Sequence, residues 1–126
     1  MTLIDADPYS RRVIGCAIEV HKTLGPGLLE AIYEAALCFE LQQSGLRFDR
    51  QPQFPVIYKG QSLDLNLRPD LIAEDSLVVE IKSLQVVLPV HEAQLHTYMK
   101  LAALPTGLLL NFNEPLMKDG IRRRLL

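Results

Sequence analysis

The sequence predicts one α/β or α+β domain in which helices flank a central sheet. Three observations carry this. Two helical segments open the chain, five short strand-like segments follow, and a third helix precedes a continuous apolar run of buried-strand length. At 126 residues, 48% hydrophobic and 22% charged, with seven Gly and eight Pro, the chain has the size of one ordinary domain. Such a chain buries roughly 65–70% of its extended surface on folding, so it needs no disulfide or metal staple. There is no internal repeat, low-complexity stretch or dividing linker. Residues 1–126 are therefore read as a single domain, with 1–10 as an N-terminal lead-in.

The first helix runs from about Tyr9 to Leu24, with Val13, Ala17, Val20 and Leu24 at helical spacing. Gly25-Pro26-Gly27 stops it, because Gly takes the left-handed cap position and Pro cannot continue a helix. A second helix runs from about Leu28 to Ser44, closed by Gly45. Its apolar residues cover nearly every direction, which predicts burial on several sides. Leu46–Gln51, Phe54–Lys59 and Ser62–Leu67 are short, partly alternating and bounded by Pro and Gly, as strands are. Asp70–Ala73 and Leu77–Ser83 are two more, joined by Glu74-Asp75-Ser76. Pro89 opens a third helix to about Leu104, Thr106–Phe112 is a buried strand, and Ile121–Leu126 is a last strand or tail.

Composition excludes several classes. Thirteen basic residues against fifteen acidic ones give a net charge of −2. A nucleic-acid partner is then held by a local patch or by bound metal rather than by bulk charge. No apolar run reaches the ~18 residues of a membrane helix. The first 15 residues carry acids where a signal peptide has its apolar core. Cys16 and Cys38 lack any CxxC spacing or nearby His pair, and read as reduced, buried thiols of a cytoplasmic protein. With no Gly-rich phosphate loop, GxSxG, HExxH or usable Cys-His pairing, triphosphate, acyl-transfer and zinc-hydrolase chemistry have no support.

The chemistry concentrates between Arg68 and Lys82. In a strand from Leu77 to Ser83, alternation sends Leu77, Val79 and Ile81 one way and Val78, Glu80 and Lys82 the other. If the preceding turn centres on Asp75, residues whose numbers sum to 150 face each other, and Asp70 lies opposite Glu80. Facing Cβ atoms are ~4.5–5.5 Å apart, and like charges there repel. A shared proton, Lys82 or a divalent cation relieves such a pair. A surface Glu80–Lys82 ion pair, with Asp70 merely starting a strand, is the plainer alternative.

Glu30, in the first turn of the second helix, either complements the helix dipole or is a second site candidate. His91, Gln94 and Tyr98 share one face of the third helix. They are either satisfied boundary residues or groups that hold a phosphate or orient a site at the sheet. Lys118 and Arg122-Arg123-Arg124 form a basic run that is either solvated or touches a phosphate backbone. His21 and Lys22 complement the dipole at the end of the first helix.

At these residues the chain resembles the PD-(D/E)XK nuclease superfamily, and within it the small bacterial group of GxxExxY proteins. Pro69-Asp70 followed by Glu80-Ile81-Lys82 matches the superfamily signature. Gly27 to Tyr33, with Glu30 between, matches the GxxExxY motif, and His91 to Tyr98 contains the QxxxY element as Gln94 and Tyr98. The likeness spans roughly Arg11 to Leu126. It implies a restriction-endonuclease-like αβββαβ core, a central mixed sheet flanked by helices, and Mg²⁺ or Mn²⁺ as cofactor. By this resemblance Asp70 and Glu80 would be metal ligands with the Ile81 carbonyl as a third. Glu30 would sit by the metal, directly or through water, and Lys82 would position or help deprotonate the attacking water. Gln94, Tyr98 and His91 would support the substrate, with Arg122, Arg123 and Arg124 as phosphate contacts. The implied activity is metal-dependent hydrolysis of phosphodiester bonds, in DNA before RNA, with no membrane partner. The rival readings are an inactive nuclease-fold binding module and a subunit, a homodimer included, that is active only in a complex.

Overall fold

The computed structural model of the chain describes residues 7–126. Helix α1 spans Pro8–Leu24 and α2 spans Glu30–Gln43. Asp7 caps α1, its carboxylate accepting the Ser10 N–H at 2.9 Å and the Ser10 hydroxyl at 2.7 Å. Pro8 suits the first helical position, where the missing N–H costs nothing. The expected lead-in is therefore shorter than 1–10: Pro8–Ser10 are helical, and residues 1–6 lie outside the described residues.

The main sheet has the order β1-β4-β5-β6-β7. Its strands are β1 (Phe48–Arg50), β4 (Leu71–Ala73), β5 (Leu77–Lys82), β6 (Thr106–Asn111) and β7 (Ile121–Leu125). β5 and β6 are parallel and every other pairing is antiparallel. Helix α3 (Pro89–Ala102) supplies the crossover that a parallel pair requires. β2 (Phe54–Tyr58) and β3 (Gln61–Leu67) pair only with each other, as a separate hairpin inserted between β1 and β4.

Alternation along the strands builds a core on each face. Leu71, Leu77, Val79, Ile81, Leu108 and Leu110 pack with α1 and α2. Ile72, Val78 and Leu109 pack with Leu95, Tyr98 and Met99 of α3. Gly107 lets α3 lie close, since a Cβ there would sit 2.6 Å from the Met99 sulfur. Cys16 and Cys38 are buried free thiols, and no helix among the described residues is long and apolar enough to cross a membrane.

One expectation is corrected. α2 is apolar nearly all round but is buried on one side only. Tyr33, Leu37 and Leu41 are inaccessible, while Ile32 is 43% and Phe39 59% exposed. The helix packs against α1 and β5, and its outer face is left exposed among the described residues.

Candidate active site at the end of the sheet

The β4–β5 hairpin has the register Leu71↔Val79, Ile72↔Val78, Ala73↔Leu77, as the turn argument requires. Its turn places Glu74 and Asp75 at φ +52 and +49. Glu74 is held in that left-handed conformation by Arg47: its N–H donates to the Arg47 carbonyl and its carboxylate accepts the Arg47 N–H, both at 2.9 Å. This register brings Asp70 opposite Glu80. The ladder ends at Leu71 because the Asp70 N–H donates to the Glu80 carboxylate at 2.8 Å instead. The Ile81 N–H in turn donates to the Asp70 carboxylate at 2.8 Å. Each acid is thus fixed by the backbone that carries or adjoins the other.

The pair is electrostatically frustrated. Glu80 is 3% exposed. Burial first, and the charge of Asp70 second, push its carboxyl up to about 8 against the pull of the Asp70 N–H and Lys82. Burial likewise pushes Asp70 up to about 6, opposed by the Ile81 N–H and Lys82 and reinforced by Glu34 and Glu30. The Lys82 ammonium lies 3.8 Å from the free oxygen of Glu80 and 3.4 Å from the Gln94 carbonyl oxygen. The Gln94 amide donates to the Tyr98 hydroxyl at 3.1 Å. Burial, with Glu80 and Asp70 behind it, raises that hydroxyl. Lys82, Gln94 and Tyr98 therefore form one chain of contacts on the α3 side.

Glu30 approaches from the other side. Tyr33 is stacked on Phe112 at 4.6 Å, and its hydroxyl donates to the Gly25 carbonyl while accepting the Leu28 N–H. The Ser83 hydroxyl donates to the Leu28 carbonyl at 2.6 Å. These bonds fasten the start of α2 to the end of β5. Glu30 stays solvent-exposed there, close enough for its charge to bear on Asp70 and Glu80.

A family model described as the PD-(D/E)XK nuclease superfamily matches residues 7–124. The chain belongs to the PD-(D/E)XK nuclease superfamily. Comparison with curated proteins and with solved structures gives no match. Membership brings a nuclease-type function, a nucleic-acid substrate and a superfamily that is generally dependent on divalent metal. The mixed sheet between helices agrees with its restriction-endonuclease-like fold.

The donor chemistry of this PD-(D/E)XK chain fits a hard divalent cation. Asp70 and Glu80 offer oxygens only, and with both ionised their negative charge exceeds what Lys82 offsets. Among the described residues no three carboxylate, imidazole or thiol groups converge as a ready-made metal cage.

Not every expected residue joins it. The His91 Nδ1 accepts the Leu88 N–H at 2.8 Å, a capping contact at the start of α3, and is not in the Lys82–Gln94–Tyr98 chain. The basic run is divided by strand alternation. Arg122 pairs with Glu92 at 3.2 Å and Arg124 donates to His96 at 3.3 Å. Arg123 pairs with Asp7 at 3.0 Å. A residue that motif reading passes over is Glu34, 6% exposed and bonded to Arg50 and Gln51. Its signal in the sequence is an acid on the buried side of an apolar helix, one turn after Glu30.

Proposed function

We propose that the chain is a metal-dependent nuclease that hydrolyses phosphodiester bonds, in DNA before RNA, and that it acts as one domain. The observation that carries this is the pair of side-by-side carboxylates, Glu80 buried and Asp70 half-buried, both pushed above their ordinary range, with Lys82 at its edge. Asp70 and Glu80 would hold Mg²⁺ or Mn²⁺, with the Ile81 carbonyl as a third ligand and Glu30 beside the ion directly or through water. A bound ion there supplies charge neutralisation at phosphorus and lowers the pKa of its water. Lys82, fixed between Glu80 and Gln94, positions the attacking water and offsets phosphate charge. Tyr98 holds Gln94, and through it the lysine. The Gly27–Glu30–Tyr33 spacing supports placement in the bacterial GxxExxY group, and the two buried free thiols support a cytoplasmic location.

The test is cleavage of labelled single- and double-stranded DNA and RNA in Mg²⁺ or Mn²⁺ against EDTA, with Lys82→Ala purified identically. Metal-dependent cutting that the variant loses supports the assignment and names the substrate. No cutting, with no Mn²⁺-induced rise in melting temperature, overturns it in favour of a binding module. One observation favours a second reading, a subunit that works in a homodimer or larger complex: the exposed apolar face of α2 at Ile32 and Phe39. A monomeric mass by light scattering at micromolar concentration would count against that reading.

A further inference from the structure

We infer that Glu34 is a positioning residue that sets the backbone of Asp70 through Arg50 and Gln51. The inference rests on the metal-ligand role proposed for Asp70. Glu34 is buried on the inner side of α2, and its Oε2 accepts two bonds, from Arg50 Nε at 2.8 Å and from Gln51 Nε2 at 3.1 Å. As a stabilising device this is poor. Desolvating a carboxylate offsets most of its Coulomb attraction to a cation, and an apolar side chain of similar volume serves a core at least as well. An ion pair would also need only Arg50, whose side chain is half-exposed.

The second bond is the informative one. Gln51 has φ +52, a left-handed conformation that non-glycine residues adopt at a cost. In that conformation its N–H donates to the Asp70 carbonyl at 2.7 Å. The residue that Glu34 grips by its side chain thus grips Asp70 by its backbone. On the other side of the same residue, the Asp70 N–H is held by Glu80 at 2.8 Å. Both backbone polar groups of Asp70 are tethered, one by the other acid of the pair and one by the Glu34 clamp. A carboxylate that must meet a cation within a few tenths of an ångström needs that fixation. Outer partners of metal ligands act in this way on affinity rather than on folding.

The experiment is Mn²⁺ binding by titration calorimetry and electron paramagnetic resonance, on the full chain, well below each protein's own melting temperature. Glu34→Ala is expected to weaken Mn²⁺ binding about tenfold or more. Glu34→Gln, which keeps an oxygen for both donors, is expected to restore much of the loss. Gln51→Gly is the second variant. Glycine accepts the left-handed backbone without strain, so this protein folds, and losing the side-chain tether alone gives a smaller weakening. A purely structural Glu34 would lower the melting temperature and leave the affinity of the folded protein unchanged, and that result overturns the clamp. Absence of Mn²⁺ binding by the unmutated protein is a different failure: it overturns the ligand role of Asp70, and the clamp with it.

Discussion

On the α1/α2 face of the sheet, Asp7 accepts two bonds from Ser10 and meets Arg123 at 3.0 Å. Burial pushes its carboxyl up, but those bonds and the guanidinium outweigh burial and hold it below the usual range. On the α3 face, Asp70 also accepts a backbone N–H at 2.8 Å, yet it is pushed up to about 6. The charges that bear on it are the carboxylates of Glu34 and Glu30 and the ammonium of Lys82, which also serves Glu80. The contrast separates two uses of the same side chain. A carboxylate that holds the fold together has donors and a cation of its own. The Asp70–Glu80 pair has two carboxyl groups to one lysine, so ionising both is costly to the fold, and a proton or a cation relieves the cost.

The largest break in that comparison should come from Asp70→Asn. Asparagine keeps an oxygen for the Ile81 N–H but removes the charge. Loss of metal-borne stabilisation worth several kcal/mol should lower cleavage by about a thousandfold or more. Melting in EDTA should hold or rise, because the repulsion with Glu80 is gone. A fall of several kcal/mol in the metal-free protein would place Asp70 with Asp7, among the residues that serve the fold.

The next effect is on pH dependence, with opposite signs in the two regions. Unfolded Asp and Glu titrate near pH 3.9 and 4.3. Asp70 and Glu80 titrate above this when folded, at about 6 and about 8. Between roughly pH 4 and 8 the folded state therefore binds more protons than the unfolded one, and stability falls as pH rises through that window. The loss is of the order of a few kcal/mol. Asp7 is lowered, so its contribution is present above the unfolded value and is lost as pH falls through its folded one. Urea melts from pH 3 to 9 in EDTA should show both limbs. Asp70→Asn should flatten the neutral limb and Mn²⁺ at pH 8 should reverse it, whereas Asp7→Asn should act on the acid limb alone. A neutral limb that neither Mn²⁺ nor Asp70→Asn changes would show that the pair is not the source.

A smaller effect belongs to the α1 cap. Asp7→Ala removes the Ser10 bonds and should destabilise by about 1 kcal/mol, the usual size for a lost N-cap. Metal-dependent cleavage should be unchanged once the variant is folded. A loss of cleavage larger than the loss of folded protein would mean that the two faces are coupled.

How much of this was legible in the sequence follows from range. The helices, the strands and the 150-sum register are local patterns, and the turn at Glu74-Asp75-Ser76 is short enough to fix the pairing on both sides of it. The motif residues Asp70, Glu80 and Lys82 inherit their placement from that hairpin. The pairing of β1 with β4 spans the whole β2–β3 excursion, and alternation gives no sign that β2 and β3 stand apart from the main sheet. Glu34 was hidden for the same reason: its partners Arg50 and Gln51 come from another element, and only the fold brings them together. The outer face of α2 misled because an all-round apolar helix signals a need for cover without saying whether this chain supplies it.

Arg122, Arg123 and Arg124 carry the comparison down to adjacent residues of one strand. Arg123 lies opposite Leu108 and goes to the Asp7 face, while Arg122 and Arg124, opposite Leu109 and Gly107, go to the face that bears Glu80. The Arg122 side chain is 46% exposed against 11% for Arg123, and its bond to Glu92 is a surface pair of small worth. Arg122 and Arg124 can therefore leave Glu92 and His96 for a phosphate at little cost, whereas Arg123 would have to abandon the α1 cap. Each arginine that touches duplex phosphate adds about 0.9 to the salt slope. Joint Arg122→Ala and Arg124→Ala should then flatten the plot of log kcat/KM against log salt by about one to two, leaving kcat near its original value. Arg123→Ala should lower the melting temperature and leave the slope alone. If all three slopes coincide, none of the run touches the substrate, and the site's hold on phosphate falls to Lys82 and bound metal alone.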